Sequence, residues 1–213
     1  DGLSEFPHVI VNQARLLDFL LEYMHNSPSR LRVDYGYETV KVEVPEAADE
    51  RVTVTLNTPD GEVTVRAKHV VGCDGAHSVV RDSIGRVPQG HGEDKAWGVM
   101  DVQAVTDFPD IRFKCTIQSA DAGNILLIPR EGGYMVRLYV DMGNIAPDAW
   151  LTKEDVLEKA QAVLAPYTFE VKETAWFSVY RVGHRVTDKF DDVDDDHMES
   201  RTPRVFIAGD ACH

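Results

Sequence analysis

Arg204-Val-Phe-Ile-Ala-Gly-Asp-Ala-Cys-His213 is the run that decides the fold. Residues 205 to 208 are apolar with two β-branched members, the composition of a short, fully buried strand of the parallel-sheet type. A small residue and then an acid follow at its tip. Ligands of open α/β sheets bind just beyond the carboxyl ends of the strands. Asp210 therefore stands where a carboxylate accepts hydrogen bonds from a hydroxylated ligand such as a sugar or ribityl chain. Gly209, lacking a Cβ, lets the backbone approach that ligand.

A second strand tip has the same character. Lys68-His-Val-Val-Gly-Cys-Asp-Gly-Ala-His-Ser-Val-Val-Arg-Asp-Ser-Ile-Gly85 reads as an apolar strand, an Asp74-Gly75 turn, and a helix carrying Val79, Val80 and Ile84. Ser78 is a suitable N-cap for that helix and Gly85 a suitable stop. One Asp-Gly is only a turn signal. Two strand-acid tips, one followed by Ser78 and Arg81, point to a shared ligand.

Outward from these tips the pattern is mixed α and β. Residues 8–11 read as a short strand, and Asn12 as the N-cap of a helix whose apolar face holds Leu16, Leu17, Leu20, Leu21 and Met24. Residues 31–44 read as extended. Residues 51–56 and 62–65 alternate around Thr58-Pro-Asp-Gly61, a hairpin signal. The Gly- and Pro-bearing stretch 85–92 marks a crossing into a second domain. A succession of strands follows over 96–140, with a Gly132-Gly133 turn between two of them. Thr152 then caps a helix to about Ala165, and residues 171–180 return as a strand. The acidic stretch 188–199 lacks the central Gly of a calcium loop and reads as a solvated loop.

Composition sets the class. A chain of 213 residues with 43% hydrophobic content can bury a substantial core. A formal net charge of -14 repels nucleic acid and anionic membranes, so neither is expected as a partner. Three cysteines, Cys73, Cys115 and Cys212, without Cys-x-x-Cys spacing argue against a disulfide framework or a zinc ribbon. With no apolar run of about 18 residues and no signal peptide, the expected setting is the cytoplasm. His77 and His213 each lie near a cysteine, but lack the closely spaced His pairs of catalytic zinc sites, so no metal is assigned.

Cys73-Asp-Gly-Ala-His-Ser-Val-Val-Arg81 and Gly209-Asp-Ala-Cys-His213 resemble the Asp-Gly and Gly-Asp motifs of the FAD-dependent aromatic hydroxylases. Between them Trp97-Gly-Val-Met-Asp101, Asp107-Phe-Pro-Asp-Ile-Arg112, Ile128-Pro-Arg-Glu131, Val136-Arg-Leu-Tyr139 and Pro166-Tyr-Thr-Phe169 follow in the order of the phenol 2-monooxygenase and 3-hydroxybenzoate 4-monooxygenase branch. The resemblance implies an α/β (α+β) fold: part of a Rossmann-like FAD-binding domain plus an antiparallel or mixed-sheet substrate domain. The expected division is 1–86 and 188–213 in the former and 87–187 in the latter. It also implies FAD, NADPH and O2, a phenolic substrate, and a homodimer. The Gly-x-Gly-x-x-Gly segment of the family is missing, so the chain is expected to be an inactive interior fragment, with the family's catalytic Asp upstream of residue 1. A related flavin oxidase, or a binding or assembly module without catalysis, is the alternative.

Site residues follow from the same resemblance. Asp210 and Gly209 are expected at the flavin ribityl chain, the alternative for Asp210 being a helix cap. Asp74, Gly75, Ser78 and Arg81 are expected along the cofactor groove, although Arg81 also suits a surface ion pair. Gln13, at the start of its helix, is expected to touch the flavin or to be an ordinary first-turn residue. Arg130 and Tyr139 are the expected catalytic pair: a nearby cation lowers a phenol's pKa, and a tyrosine hydroxyl can hydrogen-bond the phenolate. A solvated turn arginine and a half-buried strand tyrosine are the plainer readings.

Overall fold

The computed structural model describes residues 5–6, 9–47, 49–130, 132–146, 149–198 and 200–213, with backbone only at 91–94 and 182. Its elements in chain order are α1 (Gln13–Asn26), β1 (Glu38–Glu43), β2 (Val52–Thr58), β3 (Gly61–Ala67), β4 (Val70–Gly72), α2 (Val79–Ser83), β5 (Gln89–Thr106), β6 (Cys115–Ser119), β7 (Gly123–Pro129), β8 (Met135–Asn144), α3 (Lys153–Leu164), β9 (Phe169–Val186) and β10 (Val205–Ile207). They gather into two compact units, one of residues 33–92 and 183–213 and the other of residues 1–32 and 93–182. The units change over at 32/33, 92/93 and 182/183. The helix α1 groups with the second unit.

The first unit holds the parallel pair β4 and β10, which registers Val70 with Val205 and Gly72 with Ile207. Beside it is the antiparallel sheet β1-β2-β3. The expected hairpin forms, with Thr58 opposite Gly61, and Gly61 takes the positive φ of 113° that the turn requires. Val42, Val52, Val54, Val80, Val205, Ile207, Ala211 and Cys212 form its core. Helix α2 is short but well fixed at its start, since the buried Ser78 hydroxyl accepts from the backbone N–H of Arg81.

The acidic stretch is tied down. The Asp192 carboxylate accepts from the backbone N–H groups of Arg204 and Val205 at 2.8 and 2.9 Å and from Arg201 Nη2 at 2.8 Å. Buried Arg86 donates to the Asp191 carbonyl at 2.8 Å and to Asp194 Oδ1 at 2.9 Å. Lys189 pairs with Asp195 at 2.6 Å. The stretch is solvent-exposed at Asp188, Asp194, Asp195 and Asp196, in line with the expected solvated loop, and ion pairs with Arg86, Lys189 and Arg201 also tie it along β10. Glu199 lies outside the described residues.

The second unit is built on a five-stranded antiparallel sheet in the order β6-β7-β8-β5-β9. One face carries Met100, Val102, Ile125, Leu127, Val136, Leu138 and Val140, and α3 covers it with Val156, Ala160, Val163 and Leu164. Alternation along each strand sends the intervening residues to the other face. Thr152 and Asp155 form a capping box at the start of α3. Asn12 caps α1 as expected, accepting from the Ala14 N–H at 2.9 Å. That helix buries no residue, and Leu16, Leu17 and Leu20 stay exposed.

Two extended segments differ from expectation. Residues 9–11 form no strand and their side chains are exposed, and residues 31–37 are irregular. Apolar β-branched residues form a strand only where a neighbour takes up their backbone groups. His8 lies outside the described residues. The glycine-bearing stretch 85–92 is a loop only as far as β5, which already begins at Gln89.

Candidate functional site

The two acidic tips emerge side by side. Register between β4 and β10 continues one residue further, where the Ala208 N–H donates to the Gly72 carbonyl at 2.9 Å. Asp74 and Asp210 therefore leave the carboxyl ends of neighbouring parallel strands, the position that ligands favour in such sheets. Their environments differ. The Asp74 carboxylate is engaged on both oxygens, accepting from the Ser78 hydroxyl at 2.5 Å and the Val80 N–H at 3.1 Å. Partial burial pushes its pKa up, but these hydrogen bonds outweigh that and hold it below the usual carboxylate range. Asp210 is exposed, and its carboxylate receives no hydrogen bond from the described residues; the residue at the cap position of its 3-10 turn is Ala208.

The glycines at these tips suit close approach. Gly75 and Gly209 have φ of +84° and +62°, and a Cβ at either would meet nothing within 4 Å. Arg81 is buried, and its Nη1 donates to the Ala76 carbonyl at 2.9 Å and to the Ala211 carbonyl at 3.4 Å. It joins one tip to the other through backbone atoms. Thr187, buried and absent from the sequence reading, secures the second tip by donating from its N–H to the Cys212 carbonyl at 2.8 Å. Among the described residues no group of three His, Cys, Asp or Glu is placed to hold a metal ion.

In the other unit a second cluster stands on the sheet face opposite α3. Asp101 on β5 and Arg137 on β8 are direct cross-strand partners. They meet through two parallel hydrogen bonds, Nε to Oδ1 at 2.6 Å and Nη2 to Oδ2 at 2.7 Å. Arg130, just past β7, brings its Nε to 3.8 Å from the same carboxylate. Trp176 of β9 lies against Arg137, with the guanidinium carbon 5.0 Å from the ring centre. The Asp101 carboxylate raises the Arg137 pKa above its ordinary value; partial burial opposes this, and the Tyr139 phenol adds to it. Tyr139 sits two residues along β8 from Arg137, on the same face, opposite Val99 and Leu126. Arg130 and Tyr139 thus share one cluster, and Asp101, Arg137 and Trp176 are the members the sequence reading missed. Gln13 is exposed at the first position of α1.

The sequence profile of the FAD binding domain family matches residues 4–213. This chain belongs to that family. It is 53% identical to a 3-hydroxybenzoate 4-monooxygenase of Comamonas testosteroni over 100% of this chain and 35% of that protein. It is 40% identical to a phenol 2-monooxygenase of Aspergillus fumigatus over 90% of this chain and 32% of the relative. The chain spans about a third of the length of these curated relatives. Among solved structures, the anhydrotetracycline hydroxylase OxyS of Streptomyces rimosus superposes with a TM-score of 0.70 at 25% identity, covering 96% of this chain and 38% of that one.

The tips fit the family's cofactor. FAD carries a ribityl chain of hydroxyl donors, and the exposed Asp210 carboxylate beside an open Gly209 is an acceptor suited to it. Asp74 has both carboxylate oxygens committed to α2, so it orders its turn, while the adjoining Gly75 leaves backbone accessible. Among the described residues no helix is long and apolar enough to cross a membrane.

Proposed function

We propose that this chain contributes the flavin-contacting strand tips and the substrate-facing sheet of a monooxygenase that hydroxylates a phenolic ring. The observation carrying this reading is the 53% identity to a 3-hydroxybenzoate 4-monooxygenase over all of this chain. In the balanced reaction a phenol, O2, NADPH and a proton yield a catechol-type product, water and NADP+. FAD, when bound, supplies the electron transfer from NADPH to O2 and an electrophilic oxygen atom for the ring.

The chain's own residues would bind, orient and tune. Asp210 accepts from ribityl hydroxyls, and Gly209 and Gly75 let the backbone come close. Arg81 and Ser78 hold the two tips in register. Gln13 contributes a polar contact at the start of α1. On the sheet face, Arg130 stabilises negative charge on the substrate oxygen, and the Tyr139 hydroxyl hydrogen-bonds that oxygen. A phenolate is more electron-rich than a phenol, so a cation favouring ionisation promotes electrophilic attack on the ring. Membership in this family supports the FAD assignment; NADPH, O2 and a dimeric assembly are parts of the proposal.

The test is turnover by the FAD-loaded protein. NADPH oxidation is followed with phenol and with 3-hydroxybenzoate, and products are identified by mass. A gain of one oxygen atom on the ring, labelled from 18O2, is expected. NADPH consumption that yields only hydrogen peroxide with both compounds would overturn the reading.

A further inference from the structure

The acidic stretch that follows β9 takes no part in the chemistry above, yet it lies beside the turn that presents Asp210. Residues 190–192 run antiparallel along β10: the Ile207 N–H donates to the Phe190 carbonyl at 2.9 Å and the Asp192 N–H to the Val205 carbonyl at 3.1 Å. Strand β4 holds the other edge of β10. Just after the end of β9 stands Thr187, 3% exposed. Its N–H donates to the Cys212 carbonyl at 2.8 Å. Its hydroxyl proton is shared by two carbonyls, Lys189 at 2.9 Å and Cys212 at 3.3 Å. The first contact holds the bend by which the chain leaves β9. The second reaches the turn itself.

The turn is thereby held at both ends. At its start the Ala208 N–H donates to the Gly72 carbonyl at 2.9 Å; at its end Cys212 is buried and its N–H returns to the Gly209 carbonyl at 2.9 Å. Between them Gly209 has a φ of +62°, and Asp210 is exposed. A carboxylate on a turn fixed beforehand binds a hydroxyl donor better than one on a mobile turn, because ordering the turn on binding costs entropy. Thr187 can fix the turn only if it is itself held. Arg86, 7% exposed, holds it: Nε donates to the Asp191 carbonyl at 2.8 Å and Nη1 to Asp194 Oδ1 at 2.9 Å, while the Arg86 N–H donates to the Arg81 carbonyl at 3.1 Å. The acidic stretch is thus fastened to the segment that follows α2.

We propose that Thr187 is a positioning residue for the flavin: through the Cys212 carbonyl it holds the 209–212 turn in the conformation that presents Asp210 to the ribityl hydroxyls, and the acidic stretch is the brace that keeps Thr187 in place. The inference rests on the reading of Asp210 given above. Thr187 touches no part of FAD in this scheme.

Two substitutions separate the hydroxyl from the rest of the side chain. Thr187→Val keeps the shape and the backbone N–H and removes the hydroxyl; Thr187→Ser keeps the hydroxyl. Because Thr187 acts through Asp210, its effect on flavin binding must vanish when the Asp210 carboxylate is absent. A purely structural loss would weaken binding alike with or without that carboxylate.

The experiment strips the full-length protein of FAD, titrates the cofactor back and reads Kd from quenching of flavin fluorescence. Thr187→Val is expected to raise Kd by about 3- to 10-fold, the worth of one hydrogen bond. Thr187→Ser is expected to stay within about 2-fold of wild type, and Thr187→Val made in Asp210→Ala to stay within about 2-fold of Asp210→Ala. If Thr187→Val does not accumulate folded, Arg86→Lys carries the same cycle, since it keeps the charge and loses the fork to Asp191 and Asp194; its loss of affinity should likewise appear only with Asp210 present. A Kd equal to wild type in the folded variant, no recovery in Thr187→Ser, or an equal loss with and without Asp210 overturns the inference alone. An Asp210→Ala protein that binds FAD like wild type overturns the reading of Asp210 and the inference with it.

Discussion

Arg81 donates from Nη1 to the carbonyl oxygen of Ala211 at 3.4 Å, across 130 residues of sequence. The same nitrogen reaches the Ala76 carbonyl at 2.9 Å. A buried arginine thus bridges the turn after β4 to the turn after β10 and keeps two glycine-bearing loops at a fixed separation.

Arg81→Met keeps the stem and removes the bridge. The carbonyls of buried Ala211 and of exposed Ala76 lose a charged donor, so unfolding free energy should fall by about 1–2 kcal/mol. Flavin titration of the FAD-loaded protein should weaken as well, because the tips lose their tie. Denaturant unfolding followed by circular dichroism checks the first expectation, and unchanged stability would show that the bridge is idle.

Asp210 is the complementary case. It is exposed and accepts no hydrogen bond from the described residues, so its removal leaves no broken contact. Asp210→Ala should therefore change stability by less than about 0.5 kcal/mol. If it accepts from ribityl hydroxyls, FAD affinity should fall by roughly 10- to 100-fold, the value of a charge-assisted hydrogen bond. Quenching of flavin fluorescence gives the affinity. A variant that binds FAD like wild type removes Asp210 from the site.

What the sequence discloses of this molecule is what short-range chemistry dictates. Ser78, Thr152, Asn12 and Gly61 each specify a cap or turn with neighbours a few residues away, and each is found in that role. The strand tips at Asp74 and Asp210 are legible because small residues and an acid directly follow apolar runs. The Asp101–Arg137 pair is not legible in this way: its members are 36 residues apart, and only the register of β5 with β8 joins them. Asp192 likewise looks like one acid among many until Arg201 and the N–H groups of Arg204 and Val205 converge on it. Residues 9–11 fail in the opposite sense, since an apolar run announces a strand whether or not a partner exists.

Asp74 predicts a pH dependence. Its folded pKa lies below its unfolded value, near 3.9, because Ser78 and the N-terminal N–H groups of α2 bind the ionised form. The stabilisation is fully present above the unfolded value and is lost as pH falls through the folded one. The stability gap between wild type and Asp74→Asn should be flat near neutrality and narrow below about pH 4. Ser78→Ala should raise the Asp74 pKa toward normal while weakening the cap by about 1 kcal/mol. NMR titration of the Asp74 side-chain carbonyl carbon reads the shift directly, and an unshifted value in wild type would contradict the account.

Gly98 and Val156 test the packing of α3 on the five-stranded sheet. A Cβ at Gly98 on β5 would stand 2.4 and 2.5 Å from the two methyl carbons of Val156 on α3. Valine in a helix has one strongly preferred rotamer, so the methyls cannot swing aside and the helix itself must move. Gly98→Ala should therefore destabilise by about 1–3 kcal/mol through overpacking. Val156 is fully buried, and Val156→Ala alone should also destabilise, by leaving a small cavity. In the double variant the new methyl enters the space the old ones vacated. Its loss should be smaller than the sum of the single losses by about 1 kcal/mol or more, a coupling of the size expected between touching residues. Denaturant unfolding of the four proteins completes the cycle. Strict additivity would mean that α3 does not lie against β5 as described, and with it the orientation that turns Asp101, Arg137 and Tyr139 to the opposite face would lose its basis.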